Sequence, residues 1–136
     1  MINFLYNRDL DIPSSVDGLN MCLIVVNDIG RIFSLNFEMK LSLHTVVVEA
    51  IENAIIHGNN SDREKLVKFS IQVNCDKIFI CVEDQGEGFN IDSISSPIMK
   101  STIRNESGRG IFFIKMLSES CYTLGKGNII KILMNR

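Results

Sequence analysis

The sequence predicts an α/β fold of helices packed on a sheet. Three observations predict it. From Leu41 to Ile56, the residues Val47, Val48, Ala50, Ile51, Ala54 and Ile55 recur at helical spacing. From Val67 to Val73, Phe69, Ile71 and Val73 alternate with Lys68, Ser70 and Gln72, the period of a half-buried strand. A further apolar run, Ile78-Phe-Ile-Cys-Val82, is β-branched and aromatic enough to be a strand, and it leads into a glycine-bearing turn. Periodicity identifies such elements without ordering them in a sheet.

Along the chain, a first extended piece spans Ile2 to Tyr6. Pro13-Ser-Ser starts a helix with Asp17 in its first turn, where a carboxylate meets the positive end of the helix dipole. Leu19, Leu23, Val26 and Ile29 keep helical spacing, and Gly30 is the predicted stop. Asn36 caps the second helix, which ends at Gly58-Asn-Asn-Ser. The strand 67–73 turns at Asn74-Cys-Asp-Lys into the run 78–82. Asn90 to Glu106 is long, serine-bearing and interrupted by Pro97, a loop over a site. Gly110 opens a third helix through Leu117, and Tyr122-Thr-Leu and Ile129 to Met134 flank Gly125-Lys-Gly-Asn128 as a second hairpin.

The 136 residues predict one domain, 1–136, and a hydrophobic fraction of 46% supplies a substantial core. A formal net charge of −2, with no cluster of basic residues, argues against a nucleic-acid surface. No run approaches the ~20 apolar residues that cross a membrane, and no basic leader precedes one, so the chain reads as soluble and cytoplasmic. Cys22, Cys75, Cys81 and Cys121 form no C-x-x-C pair, which makes a zinc site improbable. Cys22 and Cys81 fall among apolar residues and read as small buried hydrophobes, whereas Cys75 sits in a turn. His44, near the start of the second helix, reads as a satisfied or solvent-facing imidazole with no assigned role.

Three segments carry chemistry. In Glu49-Ala-Ile-Glu-Asn53-Ala-Ile-Ile-His57-Gly58, positions four apart drift by only about 40° on an α-helix, so Glu49, Asn53 and His57 form one ridge. Glu49 can accept a proton and Asn53 can offer an oxygen to Mg²⁺ beside a phosphate. An amphipathic helix whose polar edge meets water has the same pattern. In Asp84-Gln-Gly86-Glu-Gly88-Phe89, an ionised Asp84 at a strand end accepts hydrogen bonds, which suits the exocyclic amine of adenine, and Gly86 and Gly88 admit a ligand close to the backbone. An ordinary turn has the same composition. In Ser107-Gly108-Arg109-Gly110, glycines lead into a helix whose free N–H groups attract phosphate, with Ser107 as cap and Arg109 as added positive charge. A plain glycine-containing helix start reads the same way. No Gly-x-x-x-x-Gly-Lys-Ser/Thr run is present, which excludes a Walker-type loop.

In order and wording, the three segments resemble the N, G1 and G2 boxes of the GHKL ATPases, the gyrase, Hsp90, histidine kinase and MutL group. Within it the chain looks most like the small bacterial anti-sigma factor serine/threonine kinases, with their Glu-Ala-x-x-Asn-Ala-Ile-x-His-Gly and Ser-Gly-x-Gly-Ile/Phe signatures. The resemblance covers nearly the whole chain and implies the Bergerat type of two-layer sandwich, a mixed, mainly antiparallel sheet with helices on one face. It also implies Glu49 as general base, Asn53 as the Mg²⁺ ligand and Asp84 as the adenine-reading carboxylate. His57 and Gly58 match the end of the first box, Gly86 and Gly88 lie beside the base, and Gly108 and Gly110 hold the phosphates at the far end of a lid formed by 90–106. Some members carry an arginine where Glu106 stands here, which makes Arg104 or Arg109 the candidate substitute.

The activity implied is binding of Mg-ATP and phosphorylation of an anti-anti-sigma protein, with a sigma factor as the second partner and a homodimer formed through the amino-terminal strand and helix. The alternative is a non-catalytic switch whose partner affinity is set by bound ATP or ADP. A sensor kinase would need a phospho-acceptor histidine on a helical hairpin, and a topoisomerase or chaperone would need transducer domains.

Overall fold

The computed structural model of the protein describes residues 3–88 and 106–136, with 106–108 described through their backbone. The elements run β1 (Tyr6–Pro13), α1 (Val16–Ile32), α2 (Phe37–Glu52), a π-helical turn (Asn53–Gly58), β2 (Leu66–Val73), β3 (Lys77–Glu83), α3 (Glu106–Leu117), β4 (Ser120–Leu124) and β5 (Ile129–Asn135). The five strands form one sheet, ordered β1-β2-β3-β5-β4, and these pairings are antiparallel.

Alternation in the sequence decides which sheet face is covered. Phe69 opposes Val82 and Ile71 opposes Ile80 across β2 and β3, and all four are buried. The same core takes Val26 and Ile29 from α1, Leu43, Val47 and Ile51 from α2, Ile114 from α3 and Ile132 from β5. Helices therefore cover one face of the sheet, the predicted two-layer sandwich. The Asn36 cap forms as expected, its Oδ1 accepting from the Met39 N–H at 2.8 Å. Asn74 Oδ1 accepts from the N–H groups of Asp76 and Lys77 at 2.9 and 2.7 Å, which closes the β2–β3 turn. Among the described residues no helix is long and apolar enough to cross a membrane.

Several boundaries differ from expectation. The first strand is Tyr6–Pro13, not Ile2 to Tyr6, and Ile2 lies outside the described residues. Its charged residues obscure the pattern, yet Leu10 and Ile12 oppose Phe69 and Val67 on the core side while Asp9 and Asp11 point away. Helix α1 passes through Gly30, which is buried against the Lys40 stem. The chain instead turns at Ser34, whose φ of 49° is left-handed, and the Leu35 N–H returns to Gly30 O at 3.0 Å.

The second helix widens into a π turn, in which the Asn59 N–H donates to Ala54 O, five residues back, at 2.8 Å. Helix α3 starts at Glu106, so Ser107, Gly108, Arg109 and Gly110 belong to its first turns and do not precede them. An acidic residue suits that start because it faces the positive end of the dipole. Cys81 is half-buried on the sheet face turned away from the helices, between Ser70 and Lys131 on neighbouring strands, which corrects its expected burial. Residues 90–105 of the predicted lid, with Phe89 and Arg104, lie outside the described residues.

Candidate functional site

A cavity of about 430 Å³ opens between the end of α2, the π turn and the sheet. This is within the range of small-molecule sites, roughly 300–1,000 Å³. Ala50, Ala54, Val82, Ile111 and Ile130 give it apolar walls, and Asn53, His57, Asn60, Lys65, Asp84 and Asn128 give it polar ones. Gly58, Gly86, Gly88 and Gly127 line it too, with Gln85 and Glu87.

Asp84 directly follows β3, and the β4–β5 turn ties down its backbone. Its N–H donates to Asn128 O at 2.9 Å, and Asn128 Nδ2 donates back to Asp84 O at 2.8 Å. The carboxylate accepts from the Gly86 N–H at 2.7 Å. Burial pushes the Asp84 pKa above the ordinary carboxylate value, opposed by that hydrogen bond and by the charge of Lys126. Gly58 is what lets the carboxylate lie where it does, because a Cβ there would overlap the Asp84 carboxyl group.

Asn53 opens the π turn, and π turns inside helices recur at functional sites. Its Nδ2 is buried and has no hydrogen-bond partner among the described residues. An unpartnered buried amide costs about 1–3 kcal/mol, so this wall of the cavity suits a polar ligand. Glu49, one helical turn earlier, is half-buried. A Cβ placed on Gly110 would lie 2.6 Å from Glu49 Oε2 and 3.5 Å from Asn53 Nδ2. Glu49, Asn53 and the first turns of α3 therefore converge.

The predicted ridge holds for Glu49 and Asn53 but not beyond, because the wider π turn breaks the four-residue spacing. His57 still lines the cavity. Arg109 is exposed on α3 and outside the cavity wall, whereas Gly110 is buried beside Glu49. Ser107 and Gly108 stand in the first turn of α3.

A model of the histidine kinase-like ATPase domain matches residues 12–134. The chain belongs to this family. Among similar proteins is an anti-sigma F factor of Clostridium perfringens (strain SM101 / Type A), 34% identical over 97 residues that make up 69% of each chain. An anti-sigma F factor of Geobacillus thermodenitrificans is 39% identical over 70 residues, 50% of this chain and 48% of that protein. The serine-protein kinase RsbW of Oceanobacillus iheyensis is 23% identical over 128 residues, 88% of this chain and 78% of that protein. The cavity of this histidine kinase-like ATPase is accordingly its candidate nucleotide site.

Several contributors were not legible as site residues, Asn60 among them. Asn59, Ser14, Asn128 and Lys65 line the cavity or brace its wall, and their partners are distant in sequence. Asn59 bonds Ser14 across 45 positions and Gln85 across 26. Asn59 read only as a helix end, which its local sequence also describes.

Proposed function

We propose that the chain is an anti-sigma factor and an ATP-dependent protein serine/threonine kinase whose substrate is an anti-anti-sigma protein. The observation that carries this reading is the convergence of Glu49, the Asn53 amide with its orphaned Nδ2, and the first turns of α3 beside a cavity lined by Asn53 and Asp84. The names of the relatives, anti-sigma F factor and serine-protein kinase, support it.

Adenine is placed against Asp84, whose carboxylate accepts from the exocyclic amine, with the apolar walls around the ring. The phosphates run toward Asn53 and the first turn of α3, where helix N–H groups and dipole favour negative charge. The residues fit Mg²⁺, which is held mainly by phosphate oxygens and water and asks the protein for few oxygen ligands. Asn53 would hold it through its side-chain oxygen, while the orphaned Nδ2 of the same amide would donate to a phosphate oxygen. Bound there, Mg²⁺ supplies positive charge that offsets charge on the transferring phosphoryl group.

Glu49 accepts the proton of the substrate serine as its oxygen bonds to the γ-phosphorus and the bond to the bridging oxygen of ADP breaks. The product phosphoserine carries about −1.5 to −2 charge, which disrupts an interface near acidic residues and frees the kinase to hold the sigma factor. On this reading the protein works in the cytoplasm and forms a homodimer through β1 and α1.

The test is phosphate transfer. Tagged wild type and Glu49→Gln are loaded with partners from native extract and given Mg²⁺ and γ-labelled ATP. A co-purified protein should gain serine-linked label with wild type, and Glu49→Gln should be slower by ~10²–10⁴, the usual worth of general-base catalysis. Partners that bind in a nucleotide-dependent way yet stay unlabelled would favour the non-catalytic switch.

A further inference from the structure

We propose that Asn59, which need not touch the nucleotide, is the positioning residue that sets purine selectivity by holding the Asp84-Gln85-Gly86 turn in register. The proposal rests on the reading of the cavity as an adenine-nucleotide site. Asn59 is fully buried, an unusual place for an amide. Its Oδ1 accepts from the Gln85 backbone N–H at 2.7 Å. Its Nδ2 donates to Ser14 Oγ at 2.9 Å and to Leu66 O at 3.1 Å. Ser14, also buried, donates its own hydroxyl hydrogen bond to Lys65 O at 2.7 Å. Gln85 Oε1 in turn accepts from the Leu66 N–H at 3.0 Å.

One side chain thus joins the end of β1, the start of β2 and the residue immediately after Asp84. The opposite flank of Asp84 is held by Asn128. The backbone that carries the carboxylate is therefore clamped from two sides by side-chain amides. A base-reading carboxylate discriminates only if its position is fixed, because adenine offers it an amine where guanine offers a carbonyl, and a loose turn would accommodate either. Backbone aim, and not contact with the base, is the contribution of Asn59.

The experiment measures binding of Mg-ADP and Mg-GDP to wild type, Asn59→Ala, Asn59→Asp and the core control Ile12→Val, together with hydrogen exchange of the Gln85 amide. Asn59→Ala should bind ADP about tenfold more weakly, the equivalent of one well-made buried hydrogen bond, with the ADP-to-GDP preference falling by a similar factor and Gln85 exchanging faster. Asn59→Asp keeps the acceptor for the Gln85 N–H and should melt lower yet retain most of the preference. Ile12→Val should lose stability without losing preference.

If Asn59→Ala fails to fold, Asn59→Asp against Ile12→Val still decides, since a purely structural role predicts that neither protects selectivity better than its stability. A wild-type preference kept in full by Asn59→Ala, or lost as completely in Asn59→Asp, overturns the role of Asn59 alone. A wild type that binds neither nucleotide overturns the purine reading on which it rests.

Discussion

Asp84 is held by the fold against its own ionisation. Because burial raises its folded pKa above the unfolded value of about 3.9, the native state binds more protons between those two values. Stability from this group is therefore greatest at low pH and declines as pH climbs through that window. Asp84→Asn removes the charge and keeps an oxygen for the Gly86 N–H, so it should melt no lower than wild type at pH 7, with its relative advantage vanishing near pH 4. Thermal melts at the two pH values check this. The same substitution should weaken ADP binding roughly tenfold to a hundredfold, the worth of a hydrogen bond to a charged group, measurable by calorimetry. Gly110 is a second test at this scale. A methyl group there meets Glu49 Oε2 at 2.6 Å, so Gly110→Ala should displace the carboxylate. Phosphate transfer should then fall about 100-fold, the lower end of general-base contributions, with ADP affinity changed much less. Asp84, Glu49 and Asn53 were legible because each stands beside a local signal, a strand end or a helical period. Asn59 and Asn128 were not, because the backbone groups they hold are 26 and 44 positions away and leave no trace in their own neighbourhoods.

At the scale of elements, long periodic runs survived contact with the structure, and among the misread boundaries were those of β1 and the end of α1. Helix α2 and the β2–β3 hairpin follow directly from apolar spacing, since burial on one face enforces the period. The start of α2 was also legible, because an asparagine cap is a side-chain bond to a nearby N–H. Asn36→Ala should cost about 1 kcal/mol, and for a chain of this size roughly 3–4 °C in melting temperature, seen by calorimetry without change in ADP affinity. The same helix stops at Gly58 as expected, but the widening that precedes its end was illegible. Its residues keep α-like composition through Ile56, yet from Asn53 the backbone takes the wider turn that aims the Asn59 side chain at Ser14 and Gln85. Tertiary hydrogen bonds, absent from any local window, decide that geometry. Likewise β1 hid its alternation behind Arg8, Asp9 and Asp11, which occupy an edge strand paired on one side only. The Gly30 signal failed because that glycine provides room for the Lys40 stem and does not end the helix.

For the molecule as a whole, one continuous core joins both layers, and the walls of the cavity are drawn from it. Ala50, Ala54, Val82, Ile111 and Ile130 belong at once to the hydrophobic cluster and to the cavity lining. Unfolding must therefore dismantle the site, and a nucleotide that binds only the folded chain stabilises all of it. At a ligand concentration of 100 Kd the gain is about 2.7 kcal/mol, which for this length corresponds to roughly 9 °C in melting temperature. Mg-ADP should produce that shift in wild type and also in Glu49→Gln, whose change leaves the purine end untouched. Asp84→Asn at the same ligand concentration should show a much smaller shift, despite a ligand-free melting temperature at least as high. The two opposite effects of one substitution, firmer without nucleotide and less responsive to it, separate a binding role from a structural one. An undiminished shift in Asp84→Asn would move the nucleotide away from this cavity, whatever the family of the fold.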